Sequence, residues 1–163
     1  MKTRLIAAIV CIFMASTMSA QRLSGASLLE VMKKSTPEVV DSFVKAKGYN
    51  FLGSDYGDSF FCVWGSNLLE YSTYDSVPAD GSKPMYVIIV NFTSEHGSPF
   101  RIKYRTSNLQ NMRAILAYFK KAGYKKAGYD YAGGEVYKKS GSKNAIHYHE
   151  RGRTIVITSS EYE

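Results

Sequence analysis

Cysteine is almost missing from this chain, with only Cys11 and Cys62 among 163 residues. Cys11 falls in an N-terminal apolar run that is expected to be removed, and the one thiol then left cannot close an internal disulfide. Stability must come from packing instead. Cys62 sits within Phe60-Phe61-Cys62-Val63-Trp64, a setting for a buried, inert thiol rather than a nucleophile. Long apolar runs are missing as well: Leu5 to Met14 is too short to span a bilayer as a resident helix. No catalytic constellation stands out either. A nucleophile needs a base within hydrogen-bond reach and a glycosidase needs two carboxylates across a cleft, and no spacing in this chain announces either.

The N-terminus carries an ordered signal. Lys2 and Arg4 precede the apolar run, and Ser16-Thr17-Met18-Ser19-Ala20 follows it, the positive, apolar, small-residue order of a secretory signal peptide. Residues 1–20 are expected to be a leader cleaved near Ala20, with an N-terminal core helix as the competing reading. Cys11 lacks the small residues that precede a lipid-attachment cysteine, so a soluble product in the periplasm or outside the cell is expected. The 143 residues then left suit one compact domain or two small units sharing a core.

Those residues have an internal period. An offset of 75 superposes Lys45 on Lys120, Gly48-Tyr49 on Gly123-Tyr124, Gly53 on Gly128 and Asp55-Tyr56 on Asp130-Tyr131. Upstream, Val40, Phe43 and Val44 fall on Ile115, Tyr118 and Phe119. In the second unit Thr106-Ser107-Asn108 supplies N-cap candidates, Leu109, Met112, Ile115, Leu116 and Phe119 recur at helical spacing, and Gly123 stands where a left-handed C-cap is wanted. Short β-rich runs follow, at Tyr124 to Asp130, Glu135 to Lys139, Ala145 to His149 and Thr154 to Thr158, separated by glycine-bearing turns. The first unit reads as a broken helix, Ser27 to Lys34 and then Pro37 to Lys47, with Pro37 at a first helical position. Its strands are expected at Tyr49 to Ser54, Ser59 to Trp64, Leu68 to Tyr74 and Met85 to Phe92. Tyr86 to Val90 is continuously apolar, as a strand covered on both faces is, and belongs near the molecular centre.

The predicted fold class is therefore α+β: two tandem repeats of a helical segment plus a four-stranded antiparallel sheet, with the helices packed on one face. The first repeat spans 21–100 and the second 101–163. Phe100 to Arg105 connects them as a strand whose alternation gives one buried and one cationic face. The loop 76–84 has no counterpart in the second unit, which turns tightly at Glu150-Arg151-Gly152, and such insertions are places where function sits. Asp55 and Asp130 occupy equivalent places before hairpin turns, where aspartate accepts backbone hydrogen bonds, and both are read as structural.

A leader, a 75-residue period, a helix-turn-helix start and the Gly-Tyr step into each sheet at Gly48-Tyr49 and Gly123-Tyr124 together resemble the β-lactamase inhibitor protein family (BLIP-like) and, more loosely, the PepSY-like periplasmic modules. The resemblance lies in topology and spans the whole mature chain. It implies a tandem αβ4 architecture and a protein-binding role, and assigns no residue a task.

Charge is unevenly spread. Residues 21–100 hold six cations against nine anions, and residues 101–163 hold thirteen against five. In the second unit lysines and arginines interleave with tyrosines, a mixture that gives an anionic partner both attraction and contact area. Tyr137, Lys138, Lys139, Tyr148, Arg151 and Arg153 are the binding candidates. Export disfavours nucleic acid and points to a protein, or to a polyanionic glycan or lipid headgroup; a solvated basic face is the plain alternative. No catalytic residue and no cofactor is expected. His147-x-His149 is the one metal-like spacing, because residues two apart on a strand share a face, but Glu150 should face the other way and His96 lies in a distant loop. The sequence reads as an exported, non-enzymatic binding module. Its alternatives are an envelope metal-binding protein or enzyme centred on His147 and His149, and a self-associating protein in which acidic and basic halves meet.

Overall fold

The computed structural model describes residues 22–71, 76–79 and 81–160; the expected leader and its cleavage point at Ala20 lie outside them. Among the described residues three helices form where the capping chemistry places them. Helix α1 (Gly25–Val31) starts at Ser24, whose side chain accepts the Ser27 N–H at 3.1 Å, and α2 (Pro37–Lys45) begins on its proline. Helix α3 (Leu109–Lys121) is capped by Asn108, whose Oδ1 accepts the Asn111 N–H at 3.0 Å. Each step from α2 and α3 into the sheet runs through a left-handed glycine, Gly48 at φ 82° and Gly123 at φ 94°, a conformation that side chains with a Cβ resist. The tyrosine after each, Tyr49 or Tyr124, is buried.

Ten strands follow the chain as β1 (Asn50–Tyr56), β2 (Phe60–Ser66), β3 (Leu68–Tyr71), β4 (Ser76–Pro78), β5 (Tyr86–Phe92), β6 (Pro99–Thr106), β7 (Lys125–Tyr129), β8 (Glu135–Lys138), β9 (Asn144–His149) and β10 (Thr154–Ser159). Eight of them make one antiparallel sheet in the order β1-β2-β5-β6-β10-β9-β8-β7. The architecture is thus α+β, but the sheet is larger than the four strands expected of each unit. It has eight because β6 pairs with β5 on one side and with β10 on the other. The segment expected as a connector is therefore a central strand. Both outer strands carry the same irregularity: β1 shifts register between Phe51 and Gly53, and β7 between Lys126 and Gly128. Such bulges twist an edge away from further pairing.

One expected strand lies elsewhere. Leu68 to Tyr74 was placed in the main sheet, but β3 pairs only with β4, in a separate two-stranded sheet that holds the start of the expected loop 76–84; residues 72–75 lie outside those described. Asn67, at φ 55°, turns the chain out of the sheet directly after β2, and its Nδ2 donates to the Lys83 carbonyl at 2.8 Å. The place beside β2 goes to β5, the most apolar strand, whose Tyr86, Val87, Ile88 and Val90 are all buried.

All three helices cover one face. Trp64, Ile88, Ile102, Tyr104, Ile146, Tyr148, Ile155 and Ile157 from the sheet pack in one cluster with Leu28, Val31, Val40, Val44, Ile115 and Phe119 from the helices. Two polar ties fix the layers: Trp64 Nε1 donates to Asp41 Oδ1 at 2.8 Å, and the buried Tyr104 hydroxyl donates to Asn111 Oδ1 at 2.9 Å. The central cluster draws on both ends of the sheet, so Ile102→Ala should cost about 2–5 kcal/mol in urea unfolding, as buried Ile→Ala truncations do. The fluorescence of Trp64 and the far-ultraviolet β-sheet signal should be lost together. Separate midpoints for the two probes would show that the halves unfold independently.

Candidate functional site

Strand alternation assigns the other, helix-free face. Where Ile102, Tyr104 and Thr106 of β6 point to the helices, Arg101, Lys103 and Arg105 must point away. Successive members of this row are about 7 Å apart. Register places Lys103 between Ile89 and Val156, Arg101 between Asn91 and Thr158, and Arg105 between Val87 and Thr154. Lys103 is only partly exposed. Burial lowers its pKa, and the charges of Arg101 and Arg105 lower it further. Among the described residues no carboxylate pairs with any of the three. On the β1 side the face turns apolar, with Val63 and Val87 buried and with the ends of Leu52 and Leu68 lying over Gly65.

On the β7 side the same face holds a cavity of about 360 Å³ lined by Phe100, Arg101, Asp130, Tyr131, Ala132, His147, His149, Val156, Thr158 and Ser159. Its wall is built around one carboxylate. Asp130 Oδ1 accepts the backbone N–H groups of Ala132 at 3.0 Å and Gly134 at 2.9 Å, closing the turn between β7 and β8. Asp130 Oδ2 meets His147 Nδ1 at 3.0 Å and lies 3.0 Å from His149 Nε2. Burial alone would raise the pKa of this carboxyl. The Gly134 N–H, the His147 bond, the His149 charge and the Ala132 N–H outweigh burial, and its pKa is lowered. An ionised carboxylate only accepts, so His147 Nδ1 donates. An imidazole lone pair would be repelled at 3.0 Å from the same oxygen, so His149 Nε2 also carries its proton. That leaves His147 Nε2, 3.4 Å from Thr158 Oγ1, and His149 Nδ1 as the ring atoms turned away from Asp130. The His149 ring sits so close to Gly134 that a Cβ there would lie 2.3 Å from it.

The residues singled out in the sequence do not assemble into one surface. Tyr137 and Tyr148 are 3% and 6% exposed and belong to the core under the helices. Burial and the neighbouring Glu135 push the Tyr137 hydroxyl up to about 12. Arg153 Nη1 donates to the Ser107 carbonyl at 2.8 Å. Lys139 is exposed beyond the end of β8, with its stem beside Gly123, Arg151 is exposed in the turn after β9, and Lys138 is exposed on β8. His147 and His149 do share a face, as their spacing requires. Yet no group of three or more His, Cys, Asp or Glu among the described residues is arranged to hold a metal ion. From the sequence Asp130 has a turn role alone; its bond to His147 spans 17 residues, and the only hint is a turn aspartate after β7 and a His-x-His pair on β9, the next strand but one. Cys62 is buried, and burial pushes its thiol up to about 11.

The chain matches no known protein family, no curated protein and no solved structure.

Asp130→Ala should destabilise the protein by about 1–3 kcal/mol at pH 7, the range for removing a buried hydrogen-bonding partner. A carboxyl whose folded pKa is depressed stabilises above its unfolded value, near 4, and that contribution is lost as pH falls through the folded value. The gap between wild type and Asp130→Ala in urea unfolding should therefore be full at pH 7 and shrink steadily below about pH 4. A gap independent of pH would mean the carboxylate charge plays no part.

Proposed function

We propose that this protein is an exported, non-enzymatic binding module whose helix-free sheet face docks an acidic segment of a partner protein. One observation carries the reading: Arg101, Lys103 and Arg105 stand in a row, unpaired with carboxylate among the described residues, with Lys103 at the middle between Ile89 and Val156. Like charges held together in a half-dry setting repel, and folding gains nothing from their proximity. A partner carrying carboxylates relieves that repulsion, and the half-buried Ile89 supplies apolar contact area beside Lys103. The full exposure of Tyr131 at the rim adds an aromatic contact. We favour a protein over a glycan or headgroup because an apolar shoulder beside the cationic row suits a surface that is part side chain, part charge.

The same reading extends to ancestry and compartment. Matched left-handed glycines, matched bulges and a sheet order in which β1-β2-β5-β6 is followed by β10-β9-β8-β7 support a duplicated unit of the BLIP-like kind, whose interaction surface would be the joined sheet. Export follows from the leader-like first twenty residues.

Poly-L-glutamate serves as the probe. The variant with Arg101, Lys103 and Arg105 all changed to Gln should lose at least tenfold in affinity. A control with Lys121, Lys125 and Arg151 changed to Gln, which removes the same charge from elsewhere, should lose less than about threefold. Binding of the wild type should also weaken between 50 and 300 mM salt, where screening tightens from roughly 14 to 6 Å. Equal losses in the two triple variants would defeat the assignment to this face.

A further inference from the structure

We infer that the cavity between the β7–β8 turn and strands β9–β10 is a receptacle for a carboxylate of the docked acidic segment, and that His147 and His149 take up protons when it is filled. This rests on the docking role of the helix-free face and names what that face recognises at its second-half end. Arg101 begins the argument, since its guanidinium belongs both to the cationic row and to the lining of the cavity. The planar fork of an arginine fits a carboxylate with two parallel hydrogen bonds.

The remaining polar groups of the cavity decide the protonation. Asp130 Oδ1 accepts from Ala132 and Gly134 and its Oδ2 is bonded to His147, with His149 Nε2 3.0 Å from the same oxygen. It is an orienting group and not a ligand site. It holds His147 Nδ1 and lies 3.0 Å from His149 Nε2, so His147 Nε2 and His149 Nδ1 are the ring atoms turned away from it, and on a neutral ring such an atom is an acceptor. A carboxylate has nothing to donate to an acceptor, so an incoming anion is opposed by these lone pairs until the rings gain protons. Once protonated, the same two atoms are donors on a cation, and Asp130 offsets part of their charge. An imidazole as a side-chain type changes charge between pH 5 and 8.

The surroundings favour this direction of coupling. From β6, Arg101 and Lys103 face the pair and repel added positive charge, a cost that the ligand's negative charge removes. From the β9–β10 turn, Glu150 is engaged with Arg113 at 2.9 Å and Arg151 is exposed. From β8, Glu135 is engaged with Lys126 and Tyr137. The β10 neighbours Val156 and Thr158 carry no charge. Of the carboxylates among the described residues, Asp130 alone touches the histidines. A partner carboxylate would supply the missing negative charge.

The test uses the mature protein and acetyl-hexaglutamate-amide as ligand, with affinity measured by calorimetry at pH 7.5 and pH 5.5. Above the imidazole range, uptake of one proton on binding changes affinity by up to tenfold per pH unit. We expect wild type to bind at least tenfold more tightly at pH 5.5. His147→Asn and His149→Gln each keep an amide N–H at the ring nitrogen that lies 3.0 Å from Asp130, and remove the titratable ring. The double variant should bind at both pH values with less than about twofold difference. Proton NMR of the wild type needs no variant: the midpoints of both rings should move upward when the peptide saturates the protein. Tight peptide binding with no pH dependence and unmoved ring midpoints would overturn the receptacle while leaving the docking face intact. No peptide binding at either pH would overturn both. A pH-linked response to heparin but not to the peptide would overturn an acidic protein segment as the occupant.

Discussion

The pairing of β6 on both of its edges is the constraint from which the other features follow. A strand with a neighbour on each side has no freedom to rotate, so its side chains alternate strictly between the two faces. Ile102 and Tyr104 are fully buried among the helices, and each such side chain is worth about 1.5–3 kcal/mol relative to exposure. Register with β5 and β10 is thereby fixed, because a slip of one residue would send Arg101, Lys103 and Arg105 into the core. The cationic row is thus a rigid consequence of the pleat. Two unit charges about 7 Å apart repel by roughly 0.6 kcal/mol in water, and by about 2.4 at an effective dielectric of 20. The fold can carry that cost, but nothing in packing calls for cations there.

The two halves of the sheet share a frame and differ in what they display. Counting inward from each edge, β5 and β9 hold the same place, third of four. β5 presents Val87, Ile89 and Asn91 to the helix-free face, while β9 presents Ala145, His147 and His149. The turn aspartates differ in the same sense. Asp55 Oδ1 accepts only the neighbouring Tyr56 N–H among the bonds described, whereas Asp130 closes its turn and also reaches both imidazoles. Extra length is spent differently too: the first half places the β3–β4 hairpin between β2 and β5, and the second goes from β8 to β9 in five residues, 139–143. One end of the helix-free face is therefore apolar and the other polar and titratable, with the cationic row between.

Much of this frame was legible in the sequence, because it rests on local chemistry. Asn108, Pro37 and the two Gly-Tyr steps mark helix ends by capping and backbone rules that operate within a few residues. The alternation in Phe100 to Arg105 foretold one buried and one cationic face. Legibility failed where the answer depended on which side of a strand the helices cover. Tyr137 and Tyr148 look like interface residues by composition, but each sits at the parity of Ile146 or Ile157 and is buried beneath α3. The fate of Leu68 to Tyr74 turned on Asn67, a single left-handed residue whose effect is to eject a hairpin that β-propensity alone would have kept in the sheet. His147 and His149 were rightly placed on one face. Their partner was missed because a turn aspartate is amply explained by its own backbone bonds, and nothing local shows that its second oxygen is turned toward the next strand but one.

The same carboxylate bears on how the proposed binding role compares with a catalytic one. Asp130, His147 and Thr158 fall in a line, with 3.0 Å from carboxylate to ring and 3.4 Å from ring to hydroxyl, which superficially resembles a nucleophile, base and orienting acid. A base serves a nucleophile only when the hydroxyl proton is within a good hydrogen bond, and 3.4 Å exceeds the 2.5–3.0 Å usual for a hydroxyl donor. Asp130, moreover, divides one oxygen between two rings, so it does not devote its charge to a single imidazolium as a triad acid does. Beside these groups stands Arg101, which holds and orients anions but cannot exchange a proton at physiological pH. A guanidinium with no carboxylate partner among the described residues, two rings beside one carboxylate oxygen and a hydroxyl 3.4 Å from the nearer ring are the geometry on which the proposed recognition of negative charge rests.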